Sequence, residues 1–209
     1  MTDIVDSSGI VQGSSQTLSQ VHQNGGYGVP YLSGMWYAST DIWHRPGISG
    51  VANAANSIRY HPFYCKSTAY FSGIAMWVTT GVAATNVNLG VYNHNPITKK
   101  PTGNPIPGTT SGSLSTATSS SLASFSFTSP ILLIGGQIYW CAMVGDGAPS
   151  LLSISICTAG IGGETGAVSS IYNAYSESFT YSTTLPTVGA AVAVSAATAL
   201  AYSIFLQAS

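Results

Sequence analysis

From Ile58 onward the chain repeats one pattern: a short run of alternating or continuous apolar residues, then a cluster of Gly, Pro, Ser or Asn. Ile58–Cys65 is the first run, with Pro62 reading as an edge or bulge position. Ala69–Thr80 (AYFSGIAMWVTT) alternates and is rich in aromatic and β-branched residues. Asn86–Asn93 (NVNLGVYN) alternates strictly and puts Val87, Leu89 and Val91 on one face. Ser113–Thr118 and Leu122–Thr128 predict two short strands. Gln137–Val144 (QIYWCAMV) predicts a strongly apolar one after the Gly135-Gly136 turn. Asp146-Gly147 is a hairpin signal, with Leu151–Cys157 as the returning strand. Ile171–Ala174 and Phe179–Tyr181 are weak strands, and Ala199–Gln207 closes the chain. Many short strands between turn signals predict an all-β fold: an antiparallel, jelly-roll-like β-sandwich rather than a helical or βαβ architecture. Trp77 and Trp140 lie inside apolar strands and are expected in the core. Short helices could compete only at Ser15–His22 and Gly189–Thr198.

Residues 1–26 are polar and rich in Ser and Gln and end on Gly25-Gly26, which predicts an extended N-terminal arm or linker. Residues 27–209 form the sandwich domain. Its first part, Tyr27–Asn56, mixes aromatics with turn residues and predicts irregular structure plus one strand. His94–Gly112 reads as a long loop that carries the only adjacent basic pair, Lys99 and Lys100. Ala159–Gly166 is a Gly-rich loop.

Composition sharpens this picture. The 209 residues include 31 Ser, 21 Thr and 23 Gly, but charged residues are only 5% and the net charge is −1, against roughly 25% charged in an ordinary domain. Five Lys and Arg are too few for a phosphate-neutralising surface, so nucleic acid is not expected as a partner. A near-neutral surface promotes association, so much of it is expected to be covered by neighbours. The start of the chain lacks the basic and apolar regions of a signal peptide. The uncharged run Ser178–Ser209 is Ala, Ser, Thr and Gly more than Leu or Ile, holds Pro186 and Gly189, and has no flanking Lys or Arg. No membrane insertion is expected from it.

Candidate chemistry is sparse. Cys65, Cys141 and Cys157 match no metal or redox spacing. They read as free thiols, with a Cys141–Cys157 disulfide between neighbouring strands as the weaker alternative. His61 and Cys65 share a strand face, but metal ligation needs three or four converging donors. No G-x-S-x-G elbow is present. Asp146, Glu164 and Glu177 could supply a carboxylate pair, although Asp146 already has a turn role. No catalytic residue, metal or cofactor is expected. Trp36, Tyr37, Trp43, Tyr172 and Tyr175 fall in less regular segments. They are candidate subunit-interface anchors or, less favoured, sugar-stacking platforms. Lys99 and Lys100 are expected to stay solvated or to face an acidic neighbour.

Ile74–Pro149 resembles a module recurrent in tailed-bacteriophage virion proteins such as head fibres, tail fibres and minor structural proteins. The matching residues, in order, are IAMWVTTG (Ile74–Gly81), VNLGVYNHNP (Val87–Pro96), GNPIPG (Gly103–Gly108) and GGQIYWCAMVGDGAP (Gly135–Pro149). RYHPFY (Arg59–Tyr64) stands upstream and Leu185-Pro186 downstream. The resemblance implies a jelly-roll-like sandwich that assembles on a virion, usually as a trimer, without enzyme activity. Two roles follow from it. One is a capsid decoration or cement protein that clamps the major capsid protein. The other is a tail fibre or spike that binds a host-surface receptor or glycan. A fibre normally carries a long attachment region with heptads or repeats. About 25 residues precede the domain here, without either, which favours decoration.

Overall fold

The computed structural model describes residues 4–5, 11–12, 31–39, 48–154, 174–188 and 201–209, and these contain strands and no helix. In chain order the strands are β1 (Ile4–Val5), β2 (Val11–Gln12), β3 (Trp36–Ala38), β4 (Ile48–Ala52) and β5 (Ser57–Tyr64). Next come β6 (Ala69–Thr80), β7 (Asn86–Asn95), β8 (Lys100–Thr102), β9 (Leu114–Ser115) and β10 (Ser121–Leu133). The last are β11 (Ile138–Gly145), β12 (Ser150–Ile154), β13 (Tyr175–Ser178), β14 (Ala201–Tyr202) and β15 (Ile204–Ala208). In the arm, β1 pairs antiparallel with β2. The two helix candidates and the Ile171–Asn173 part of a predicted strand lie outside the described residues.

The remaining strands form two antiparallel sheets. A seven-stranded sheet holds β3, β4, β6, β10, β12, β14 and β15, and a six-stranded sheet holds β5, β7, β8, β9, β11 and β13. The pairs β4·β12, β5·β11, β6·β10 and β7·β9 nest like the rungs of one long hairpin with its tip near β8. Rolling that hairpin adds β6·β12 and β7·β11. The resulting orders, β4-β12-β6-β10 and β5-β11-β7-β9, are those of a jelly roll. The C-terminal strands extend it. β14 pairs with β12, and β15 inserts between β6 and β3.

Alternation sets the main core, which lies between the sheets. On the six-stranded sheet Phe63, Val87, Leu89, Val91, Tyr139, Cys141 and Met143 point inward; they meet Phe71, Ile74, Met76, Val78, Leu151, Ile204 and Leu206 from the other sheet. The opposite face of the six-stranded sheet is buried as well. Ile58, Tyr60, Tyr92, Trp140, Ala142 and Val144 form a second core with Tyr175, Leu185 and Val188. The segment 179–188 crosses that face as a strap. It accepts Asn88 Nδ2 at the Ser182 carbonyl (2.9 Å) and the Tyr92 hydroxyl at the Pro186 carbonyl (2.8 Å). A Cβ on Gly90 would collide with the Leu185 side chain beneath the strap. Burial on both faces is the reason that β11 reads as a continuous apolar run.

Three expectations need correction. Trp140 is 1% exposed, in the second core, but Trp77 is 38% exposed. Its inward neighbours Met76 and Val78 turn it to the outside of the seven-stranded sheet. Asp146-Gly147 does not close a hairpin, because β11 and β12 belong to different sheets. Asp146 instead crosses to β7. Its backbone N–H donates to the Asn86 carbonyl (3.1 Å), and its carboxylate accepts from Asn86 N (2.6 Å) and Nδ2 (3.0 Å). Cys141 is a free, buried thiol, as expected; Cys157 lies outside the described residues. His94–Gly112 is not one loop. β7 turns into β8 through Asn95, whose side-chain oxygen accepts from Ile97 N and Thr98 N. Residues 106–111 then line the free edge of β7 through Ile106 N to Val91 O and Ser111 N to Leu89 O.

Candidate interaction surface

Charge is divided unequally between the two sheets. The charged side chains among the described residues are Arg59, Lys66, Lys99, Lys100, Asp146 and Glu177. Arg59, Lys100 and Glu177 lie on β5, β8 and β13, and Lys66, Lys99 and Asp146 on the turns that leave β5, β7 and β11. Lys66 and Asp146 thus sit on the β5–β6 and β11–β12 connections, which join the two sheets, and the other four belong to the six-stranded sheet and its β7–β8 turn. The described strands of the seven-stranded sheet carry no charged residue.

The outer face of that uncharged sheet can be read off its register. Along β6 the inward residues are Phe71, Ile74, Met76 and Val78, so Tyr70, Gly73, Ala75 and Trp77 face out. Trp77 is paired with Leu122 of β10 and Tyr70 with Leu132. Leu122 is 38% exposed, Leu132 46% and Tyr70 55%. On the other side Gly73 pairs with Gln207 and Gln207 with Trp36, while Ala75 pairs with Phe205 and Phe205 with Ala38. Trp36 and Phe205 are half-buried there. Trp36 leans over the glycine, so that a Cβ on Gly73 would stand 3.4 Å from Trp36 Cη2. The floor is therefore small residues, Gly73 and Ala75, flanked by aromatics and leucines. Between the two exposed pairs β10 slips register from Ser126 to Ile131. Pro130 sits in that slip, where an edge strand tolerates proline.

Of the expected contact aromatics, Trp36 is on this face. Tyr37 turns the other way. Its ring packs edge-on to Tyr31 (4.6 Å) against the main core, and its hydroxyl accepts from Leu32 N (2.7 Å). Tyr175, expected at a subunit contact, fills the second core of its own chain. It is 6% exposed and 5.2 Å from the Trp140 ring, because β13 pairs with β5 and turns this residue under the strap. Trp43 and Tyr172 lie outside the described residues. Lys99 is exposed at the β7–β8 turn in the left-handed region (φ 59). Lys100 is half-buried on β8, with its Nζ 5.7 Å from the Tyr175 ring centre. Tyr70, Leu122 and Leu132 were absent from the expected set. The sequence signal for them is the lack of any charge along these strands; their outward orientation follows only from the register.

Several polar groups elsewhere are engaged structurally. The Glu177 carboxylate accepts from the Tyr60 hydroxyl (2.6 Å) and the Asp146 carboxylate from Asn86. Glu164 lies outside the described residues. Trp140 Nε1 donates to His94 Nδ1 (3.0 Å). Cys65 Sγ donates to the Ser67 carbonyl (3.0 Å), and burial pushes its thiol up to about 11. His61 is fully buried, facing Cys141 across the β5·β11 ladder and the edge of Tyr202 (5.9 Å), and neither ring nitrogen has a partner. Burial, with the Arg59 charge adding to it, holds His61 down at about 3, so the ring is neutral. Among the described residues no three His, Cys, Asp or Glu converge as metal ligands. No helix among them is long and apolar enough to cross a membrane. No protein-family model matches the chain, and no curated protein matches it in sequence.

Proposed function

We propose that the chain is a non-enzymatic structural protein of a tailed-bacteriophage virion. In this reading it is a decoration or cement protein that assembles as a homotrimer on the capsid exterior and stabilises the major capsid shell. The observation that carries the reading is the partition of charge. The described strands of one sheet of the jelly roll carry no charge and expose Tyr70, Trp77, Leu122 and Leu132, and a surface of that kind marks a place of contact. The two described carboxylates, Glu177 and Asp146, are committed to hydrogen bonds that hold the fold, which favours a role in contact. The order of motifs shared with virion modules supports the particle as its setting. The polar arm, residues 1–26, is suited to reach over a neighbouring shell subunit. Its ordering costs about 1–2 kcal/mol per residue in backbone entropy, which the new contacts must exceed.

The test is reattachment. Purified protein is mixed with capsids that lack it, and co-sedimentation and capsid thermal stability are measured. Saturable binding with a raised capsid melting temperature is expected, and it should be lost when residues 1–24 are deleted although the sandwich stays folded. Absence of binding to intact shells would reject the decoration role. A second reading, a tail fibre or spike that binds a host glycan, is favoured by one observation: Tyr70 and Trp77 are exposed aromatics on a sheet face, as sugar stacking requires. Glycan-array binding that is lost in Trp77→Ser would support it.

A further inference from the structure

We infer that the outer face of the seven-stranded sheet, centred on Trp77 and Leu122 with Tyr70 and Leu132, is the surface through which copies of this chain contact one another. The inference rests on the self-assembly part of the proposed function and adds the face, the residues and the occupant.

The exposed apolar area supplies the centre of such a contact. At roughly 200 Å² for each large side chain when fully exposed, the fractional exposures of the four residues leave on the order of 350 Å² of apolar surface in water. A standard interface buries about 800 Å² per partner. Half-buried Trp36 and Phe205 and the small residues between them lie on the same face. The two aromatics extend the same uncharged face, while Gly73 and Ala75 lie buried beneath them. The two exposed pairs stand seven residues apart on β6. At about 3.3 Å per residue they anchor the two ends of one contact.

Charge selects the occupant. A face without any charge on its strands has nothing to attract an acidic or basic partner. It meets the uncharged surface of a neighbouring copy without like-charge repulsion. Packing copies through it covers no charged side chain of that sheet's described strands and leaves the four charges of the six-stranded sheet outside the contact. The free edge of β10 is the weaker docking element. Its register slip and Pro130 interrupt the row of hydrogen-bonding groups that a continuous added strand needs.

The experiment measures mass by light scattering and native mass spectrometry at micromolar concentration. It compares the wild-type chain with Trp77→Glu, with Leu122→Lys/Leu132→Lys, and with Ile97→Glu as a control. Ile97 is 89% exposed at the β7–β8 turn, away from the face. Circular dichroism and the melting curve report that each variant is folded. The expected result is an oligomeric wild type and control, with both face variants folded and shifted to monomer by at least tenfold in dissociation constant. An oligomeric wild type whose face variants keep the same mass would overturn the face while leaving self-assembly intact. A monomeric wild type would overturn both. A wild type that is monomeric alone but loses shell binding in the face variants would reassign the face to the shell protein and overturn the inference.

Discussion

Acidification should weaken the fold through one residue, His61. Its ring is fully buried in the main core with both nitrogens unpartnered, and burial together with Arg59 holds its pKa at about 3. In the unfolded chain an imidazole titrates near 6.5. Between those values the unfolded state binds a proton that the native state refuses. Stability is therefore full above about pH 6.5, falls as pH drops, and levels off near pH 3. At pH 4 the difference amounts to about 2.5 pH units. At 1.36 kcal/mol each the loss from neutral pH is roughly 3 kcal/mol, a large share of the roughly 5–15 kcal/mol that holds a domain folded. In a chain of this size it corresponds to a fall in melting temperature of about 6–12 °C. His61→Leu has nearly the same volume, removes the proton site and leaves no orphaned nitrogen, so it should be at least as stable at pH 7. The assay is urea unfolding of both proteins at pH 7 and pH 4, with equal slopes checked. A wild-type midpoint that does not move, or a Leu variant that loses as much as wild type, would refute the buried neutral histidine.

Trp140→Ala should cost roughly 3–5 kcal/mol by emptying the second core and breaking the bond to His94, read from the urea midpoint. Gly81→Ala should destabilise the fold by roughly 1–3 kcal/mol, because its Cβ would run into the Ala117 backbone carbonyl, which cannot swing aside; an unchanged melting curve would contradict that packing. Cys65 and Cys141, both buried with burial raising their thiol pKa values, should resist iodoacetamide in the native protein and react after unfolding, as peptide mapping would show.

The strands themselves were legible because period-two alternation is local. β6 has the bounds read from its alternation, and the starts of β7 and β11 fall within one residue of those expected. The side of the sheet that each residue faces was not legible. In β6 the inward set passes from Phe71 to Ile74 across a phase break, and an apolar stretch such as IAMWV offers either parity to the core. Turn chemistry misled for the same reason. Asp146-Gly147 bends the chain equally well into a hairpin or into a crossing between layers. Only the pairing of β12 with β4 and β6 decides between them. Irregular sequence context does not distinguish a contact aromatic from a core one: Tyr37 and Tyr175 stand in such context and pack within their own chain. The uncharged sheet was visible in the residues all along, but its meaning required knowing which strands share a sheet.

Copy number on the particle tests the central claim most directly. Virions are purified, and the chain is quantified against the major capsid protein by gel densitometry or isotope-labelled peptides. A decoration protein is expected in hundreds of copies, in simple proportion to the shell protein. A few to some tens of copies per particle would contradict that role and place the chain on a fibre instead.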